Sequence, residues 1–244
     1  MAGHEDRKGT LAERLLQGEE RDQVTLDRLL VGREDDFLVP RDELERLYFF
    51  LDARGTFSVA SLGARWEHKL RCDTAVFVPA GVEHRLANSG DAPLRAILFA
   101  ARWPEGEGPS DPPGWPAFAD LADVPQRNMT SFLTQTLLDG ADVGARRFVL
   151  SEYQTVLPGG WVPQHLHTTR EELCYVCRGQ GTLHVAGSDR VIQAGEAARI
   201  PPGARHSVTN EGRALLEYLI AQSTSAGERL AGEDGRPEGA DGTT

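Results

Sequence analysis

Hydrophobic positions in the first hundred residues come in short runs rather than long periodic stretches: QVTLDRLLV, RLYFFL, TFSVASL, TAVFVPAG and LRAILFAA. Polar or glycine-bearing turns separate them, and short apolar runs bounded in that way read as β-strands. Ahead of them, Thr10 and Glu13 have the spacing of a capping box, and Gly18 follows LLQ. That pattern predicts a short amphipathic helix over 10–17.

The segment WPEGEGPSDPPGWP, 103–116, carries five prolines and three glycines in fourteen residues. It can hold neither a helix nor a central strand, so it reads as a linker. A second series of strand signals follows: RFVLSEYQTV, ELCYVC, GTLHVAG, AARIP and ALLEYLIAQ. After residue 222 the chain holds one sizeable apolar side chain, Leu230, and a disordered tail is expected over 223–244. The two series resemble each other. YFFLDARGTFSV (48–59) lies over CYVCRGQGTLHV (174–185), and VPAGVEHRLAN (78–88) over IPPGARHSVTN (200–210). A duplicated β-domain follows, each copy a sandwich, jelly roll or barrel. The expected boundaries are an N-terminal arm with the helix (1–18), a first β-domain (19–102), a linker (103–122), a second β-domain (123–222) and the tail (223–244).

Composition narrows the function. A net charge of −11 argues against nucleic-acid binding, which demands a basic face. Lys8 and Lys69 are the only lysines, and neither sits in a motif, so Schiff-base catalysis is not expected. The first residues lack an apolar signal region, and no apolar run is long enough to span a bilayer; a soluble, cytoplasmic protein is the expectation. Cys174 and Cys177 have CxxC spacing. In a strand, however, residues three apart face opposite sides, and Cys72 is the only other cysteine. They read as ordinary thiols.

His165 and His167 stand at i and i+2 in a strand-like stretch, so both imidazoles can aim to one side. HxH alone does not decide between two metal ligands and two histidines that share a strand. Glu172 and His206 are the candidates to complete a shell. Three imidazoles and one carboxylate suit one divalent first-row metal: Fe(II), Mn, Ni, Co or Zn.

With those residues, the second half resembles the cupin superfamily. The first cupin motif, G(X)5HXH(X)4E(X)6G, is met by Gly159 or Gly160, His165, His167, Glu172 and Gly179. The second, G(X)5PXG(X)2H(X)3N, is met by Gly195, Pro201, Gly203, His206 and Asn210. The resemblance implies an all-β protein of two tandem cupin (double-stranded β-helix, jelly-roll) barrels, with metal ligands His165, His167, Glu172 and His206. Glu171 is expected to be a solvated rim charge. The first half is a degraded copy. It keeps Pro79, Gly81, His84 and Asn88, but sets Val39, Arg41 and Arg46 at the positions of His165, His167 and Glu172. His84 is expected to be a hydrogen-bonded interior histidine, leaving one metal per chain.

Tyr175 and Gln154 are candidate catalytic groups, and Tyr153, His184 and Arg199 candidate substrate-binding groups, because all lie on strands beside the motifs. The resemblance implies a metal-dependent enzyme acting on a small oxygen-rich metabolite that chelates the metal. Its chemistry would be oxidative, of dioxygenase type, or redox-neutral, as in an isomerase, lyase or hydrolase. The alternative is a binding or sensing bicupin without turnover. A small-molecule substrate, no nucleic acid, no membrane and a homodimer are the expected partners.

Overall fold

The computed structural model describes residues 10–17, 24–61, 64–103 and 114–224, the side chains at 17, 61 and 64 aside. The fold is all-β, two jelly-roll barrels in tandem, with no helix among the described residues. In the first barrel one sheet runs in the order β1 (Leu11–Gln17), β2 (Val24–Val31), β9 (Leu94–Arg102), β4 (Leu44–Asp52), β7 (Thr74–Val78), β10 (Ala117–Asp120). It faces β3 (Asp36–Val39), β8 (His84–Asn88), β5 (Gly55–Ser61), β6 (Ala64–Leu70). The second barrel repeats the plan. One sheet is β11 (Arg127–Asn128), β12 (Phe132–Asp139), β13 (Phe148–Val156), β20 (Leu216–Thr224), β15 (Arg170–Arg178), β18 (Ala197–Ile200). The other is β14 (Trp161–His165), β19 (His206–Thr209), β16 (Gln180–Val185), β17 (Ser188–Gln193).

The helix expected over 10–17 is a strand. β1 pairs antiparallel with β2, and its register shifts between Arg14 and Leu16. That bulge lets the neighbours Leu15 and Leu16 both pack on the core between the barrels, while Ala12 packs on the first barrel's interior. Apolar positions at 11, 12, 15 and 16 therefore imitate a helical face while belonging to a bulged edge strand. Within 103–122, residues 117–120 form β10 and pair with β7 of the first barrel. Residues 1–9, 104–113 and 225–244 lie outside the described residues.

Among the described residues three cores hold the molecule. Each barrel has its own: Phe50, Phe57, Val76 and Leu86 with their neighbours in the first, and Val156, Cys174, Ile200 and Tyr218 with theirs in the second. The third lies between the two six-stranded sheets, joining Leu47, Phe49, Phe77 and Phe99 to Tyr153, Leu173, Tyr175 and Leu219. Burying a side chain of this kind stabilises by roughly 1.5–3 kcal/mol. Glu45 of β4, 1% exposed, reaches across this seam. Its carboxylate accepts hydrogen bonds from the backbone N–H groups of Arg146 (2.6 Å), Arg147 (2.9 Å) and Phe148 (3.3 Å) and from Trp103 Nε1 (3.0 Å).

Candidate metal centre

The second barrel's interior face is set by alternation along β15. Glu172, Cys174 and Val176 point inward, while Leu173 and Tyr175 point to the seam between barrels. Across the other sheet, His165 at the end of β14 pairs directly with His206 at the start of β19. Their rings are 4.1 Å apart, and His167 stands 5.0 Å from His165 and 5.4 Å from His206. One ligand atom from each of His165, His167, Glu172 and His206 lies within 4.8 Å of all the others. Such a cluster can hold one metal ion.

The backbone holds these rings in place. His165 Nδ1 is 2.8 Å from the Pro163 carbonyl and His206 Nδ1 is 3.0 Å from that of Ala204, so each Nδ1–H donates and each Nε2 keeps a lone pair. The Gly203 N–H donates to the His167 carbonyl at 2.7 Å, and Gly203 makes that turn at φ 76°, a left-handed conformation that favours glycine. At Gly179, φ is 81° and a Cβ would meet the Leu215 carbonyl oxygen at 2.1 Å, which explains the motif's closing glycine. Asn210 donates to the carbonyls of Val156 and Ala214 and accepts from Gly212 N–H, closing the loop behind β19.

The residues fit a metal. His206 Nε2 is buried with no hydrogen-bond partner, a bare acceptor turned toward the other ligands. A buried acceptor left unmet costs free energy that a bound cation would offset. Burial pushes the Glu172 carboxyl up, but its hydrogen bonds to His167 and Gln222 and the neighbouring imidazoles together hold it below the usual glutamate range. Burial is also the main reason His165 stays easier to deprotonate than a free histidine, with neighbouring imidazoles adding to it and the Pro163 carbonyl opposing. An ionised carboxylate beside an unprotonated imidazole is the ligand state a divalent metal requires.

Gln222 belongs to this centre and carries no motif. It lies opposite Glu172 in the β15–β20 ladder, and its Nε2 donates to Glu172 Oε2 at 3.0 Å and sits 3.1 Å from His167 Nε2. It therefore occupies one carboxylate oxygen and leaves Oε1 turned toward His206, 3.8 Å away.

Other expected residues are elsewhere. Tyr175 and Tyr153 point out of the barrel into the seam, where Tyr153 stacks on Phe49 of the first barrel at 5.7 Å. Arg199 also leaves the outer face, pairing with Glu171, while its neighbour Ala198 points inward. Glu171 is accordingly buried rather than a solvated rim charge. His184 sits between Asp189 (2.6 Å) and Thr209 Oγ1 (3.0 Å), on the opposite face of β16 from the interior Leu183. Gln154 does face the interior. It is held by Tyr218 (2.6 Å) and Glu152 (3.0 Å), two same-face positions along β20 from Gln222. Cys174 lies in the second barrel's interior and Cys177 against the seam, facing opposite sides.

The first barrel repeats the frame without the ligands. Val39 pairs with His84 as His165 pairs with His206. Arg41 is exposed, and Arg46 is buried and ion-paired to Asp42. His84 Nδ1 meets the Val82 carbonyl at 3.0 Å, and its Nε2 the Tyr48 hydroxyl at 2.8 Å, so both ring nitrogens are satisfied.

Residues 152–221 match the family described as "Cupin domain". The second barrel is a cupin domain, and the chain has a bicupin's two-barrel plan. An oxalate-binding protein of Thermotoga maritima is 37% identical over 62 residues, covering 25% of this chain and 51% of that protein. A mannose-1-phosphate guanylyltransferase of Klebsiella pneumoniae is 38% identical over 71 residues, 29% of this chain and 15% of that enzyme. The chain thus spans about half of one relative and a small part of the other. Among solved structures, a Bacillus subtilis oxalate decarboxylase with Mn(II) centres superposes with a TM-score of 0.72 at 15% identity, over 93% of this chain and 76% of that one. At that identity the likeness concerns the fold. Among the described residues no helix is long and apolar enough to cross a membrane.

Proposed function

We propose that this bicupin binds one divalent first-row metal through His165, His167, Glu172 and His206, and takes a small chelating carboxylic acid at that metal. The observation that carries the reading is the bare, buried Nε2 of His206 facing Glu172 and the two other imidazoles. The neighbours support the acid: solved structures that share this fold include oxalate decarboxylases, and one curated relative is an oxalate-binding protein.

A metal held there supplies a Lewis acid for the carboxylate and its neighbouring oxygen, and electrons as well if it is Mn or Fe. The protein does the remaining work. The Pro163 and Ala204 carbonyls fix two rings, and Gln222 restrains Glu172 to one free oxygen. Deeper in the same barrel, Cys174, Val176, Ile200 and Val208 belong to its packed apolar core. We read the chain as an enzyme. The similarity to an oxalate-binding protein favours a second reading, acid binding without turnover.

The test is metal analysis of protein purified without oxygen, then Mn²⁺ reconstitution followed by paramagnetic resonance as oxalate is added. Retained metal and an oxalate-dependent spectral change are expected. Mn²⁺ bound no more tightly than by a His206→Ala variant would overturn the reading.

A further inference from the structure

Arg170 opens β15 and stands two residues before Glu172, so strand alternation sends its side chain from the same face. Its cross-strand partner is Thr224, as Glu172's is Gln222, and the β15–β20 register is regular from Arg170 through Val176. The arginine is therefore one step beyond the metal cluster, on the side where His165 and His167 are partly open to solvent. It is half-buried, and among the described residues it has no ion-pair or hydrogen-bond partner. The other half-buried or buried arginines whose side chains are described behave differently: Arg28, Arg46, Arg85, Arg147 and Arg199 each bond to a carboxylate or a carbonyl.

We propose that Arg170 anchors a second carboxylate of the bound acid. This deepens the reading above and rests on it. One end of the ligand would chelate the metal through a carboxylate and an adjacent oxygen, and the other would meet the Arg170 guanidinium. Residues two apart on a strand lie roughly 6.5–7 Å apart. That backbone offset between Glu172 and Arg170 separates the guanidinium from the chelating end, which suits a dicarboxylic acid longer than oxalate, whose two carboxylates are both consumed in chelation. Arginine suits the task because its charge is permanent and its fork matches a carboxylate.

The probes are L-lactate and L-malate, which share a hydroxy-acid chelating end and differ in the second carboxylate. Each is titrated into Mn²⁺-loaded protein by calorimetry and by the Mn²⁺ resonance spectrum, for the wild type, Arg170→Ala and Arg170→Lys. Malate should bind the wild type at least about tenfold more tightly than lactate. Arg170→Ala should erase that preference while leaving lactate and Mn²⁺ affinity unchanged, and Arg170→Lys should keep part of it. Equal binding of the two acids by the wild type would overturn the inference, as would equal losses for both acids in Arg170→Ala. Failure of the wild type to bind Mn²⁺ at all would remove the metal reading itself, and this inference with it.

Discussion

Arg46 stands in the first barrel where Glu172 stands in the second. Arg46 pairs with Val78 and Ala100 on its two flanking strands, and Glu172 pairs with Ile200 and Gln222 at the matching places. A guanidinium in that position replaces an anionic ligand with a cation, and Asp42 neutralises it from four residues away. His84, the surviving histidine, already uses both ring nitrogens.

One metal ion per chain is therefore expected by elemental analysis. His165→Ala and His206→Ala should each weaken Mn²⁺ binding by well over tenfold, whereas His84→Ala should leave it unchanged. Two ions per chain would contradict this account of the first barrel.

Gln222 holds Glu172 from behind, and Gln222→Leu should weaken metal binding by about tenfold without unfolding the protein. Gln222→Glu should do worse, because it sets two carboxylates side by side where the wild type has an amide donor. Calorimetric Mn²⁺ titration of the two variants distinguishes a positioning role from simple packing, which Leu would preserve.

His84 makes stability depend on pH. Burial, with Arg46 adding to it, lowers its pKa from 6.5 to about 4, against the opposing Val82 hydrogen bond. Between those values the unfolded chain takes up the proton and the folded one does not. The contribution is therefore complete above pH 6.5 and is lost as pH falls through about 4. Its size is about 3 kcal/mol. Urea melts of wild type and His84→Gln should show the wild-type advantage shrinking across that window; a constant difference would refute it.

Glu45 gathers three backbone donors from the second barrel around a carboxylate of the first. Glu45→Ala leaves those donors unmet in a dry seam and should cost at least about 2–3 kcal/mol. Glu45→Gln should recover part of it, because its single carbonyl oxygen still accepts. Denaturant midpoints of the three proteins give the comparison.

Metal exchange separates the possible chemistries. Mn²⁺ or Fe²⁺ should support turnover of a chelating acid in air where Zn²⁺ does not, if the reaction is oxidative. Equal turnover with Zn²⁺ under argon would assign a redox-neutral reaction, and binding without any turnover would favour the non-catalytic reading.

The strands, the duplication and the four clustered residues were legible because motif spacing and turn glycines are local properties. What escaped were the directions of side chains on the seam. The sheet containing β15 is buried on both faces, so EELCYVC shows no hydrophobic alternation, and only the three-residue offset from Glu172 signals that Tyr175 faces the other way. Tyr153 and Arg199 were hidden for the same reason. Gln222 lies among the uniformly buried residues of β20, where nothing local separates a polar side chain at a metal centre from one in a core. The bulge at Arg14 turned an edge strand into the likeness of a helix.

The seam also makes one barrel depend on the other. Leu47, Phe49 and Phe77 of the barrel without the ligand set are the surface against which Leu173, Tyr175 and Leu219 of the other barrel stay dry. Deleting the first copy would strand an oily wall in water and loosen β15 and β20, which carry Glu172 and Gln222. The first barrel's outer face is thus tied to the metal centre of the second through the seam, while its own interior, with the Arg46–Asp42 ion pair, is not.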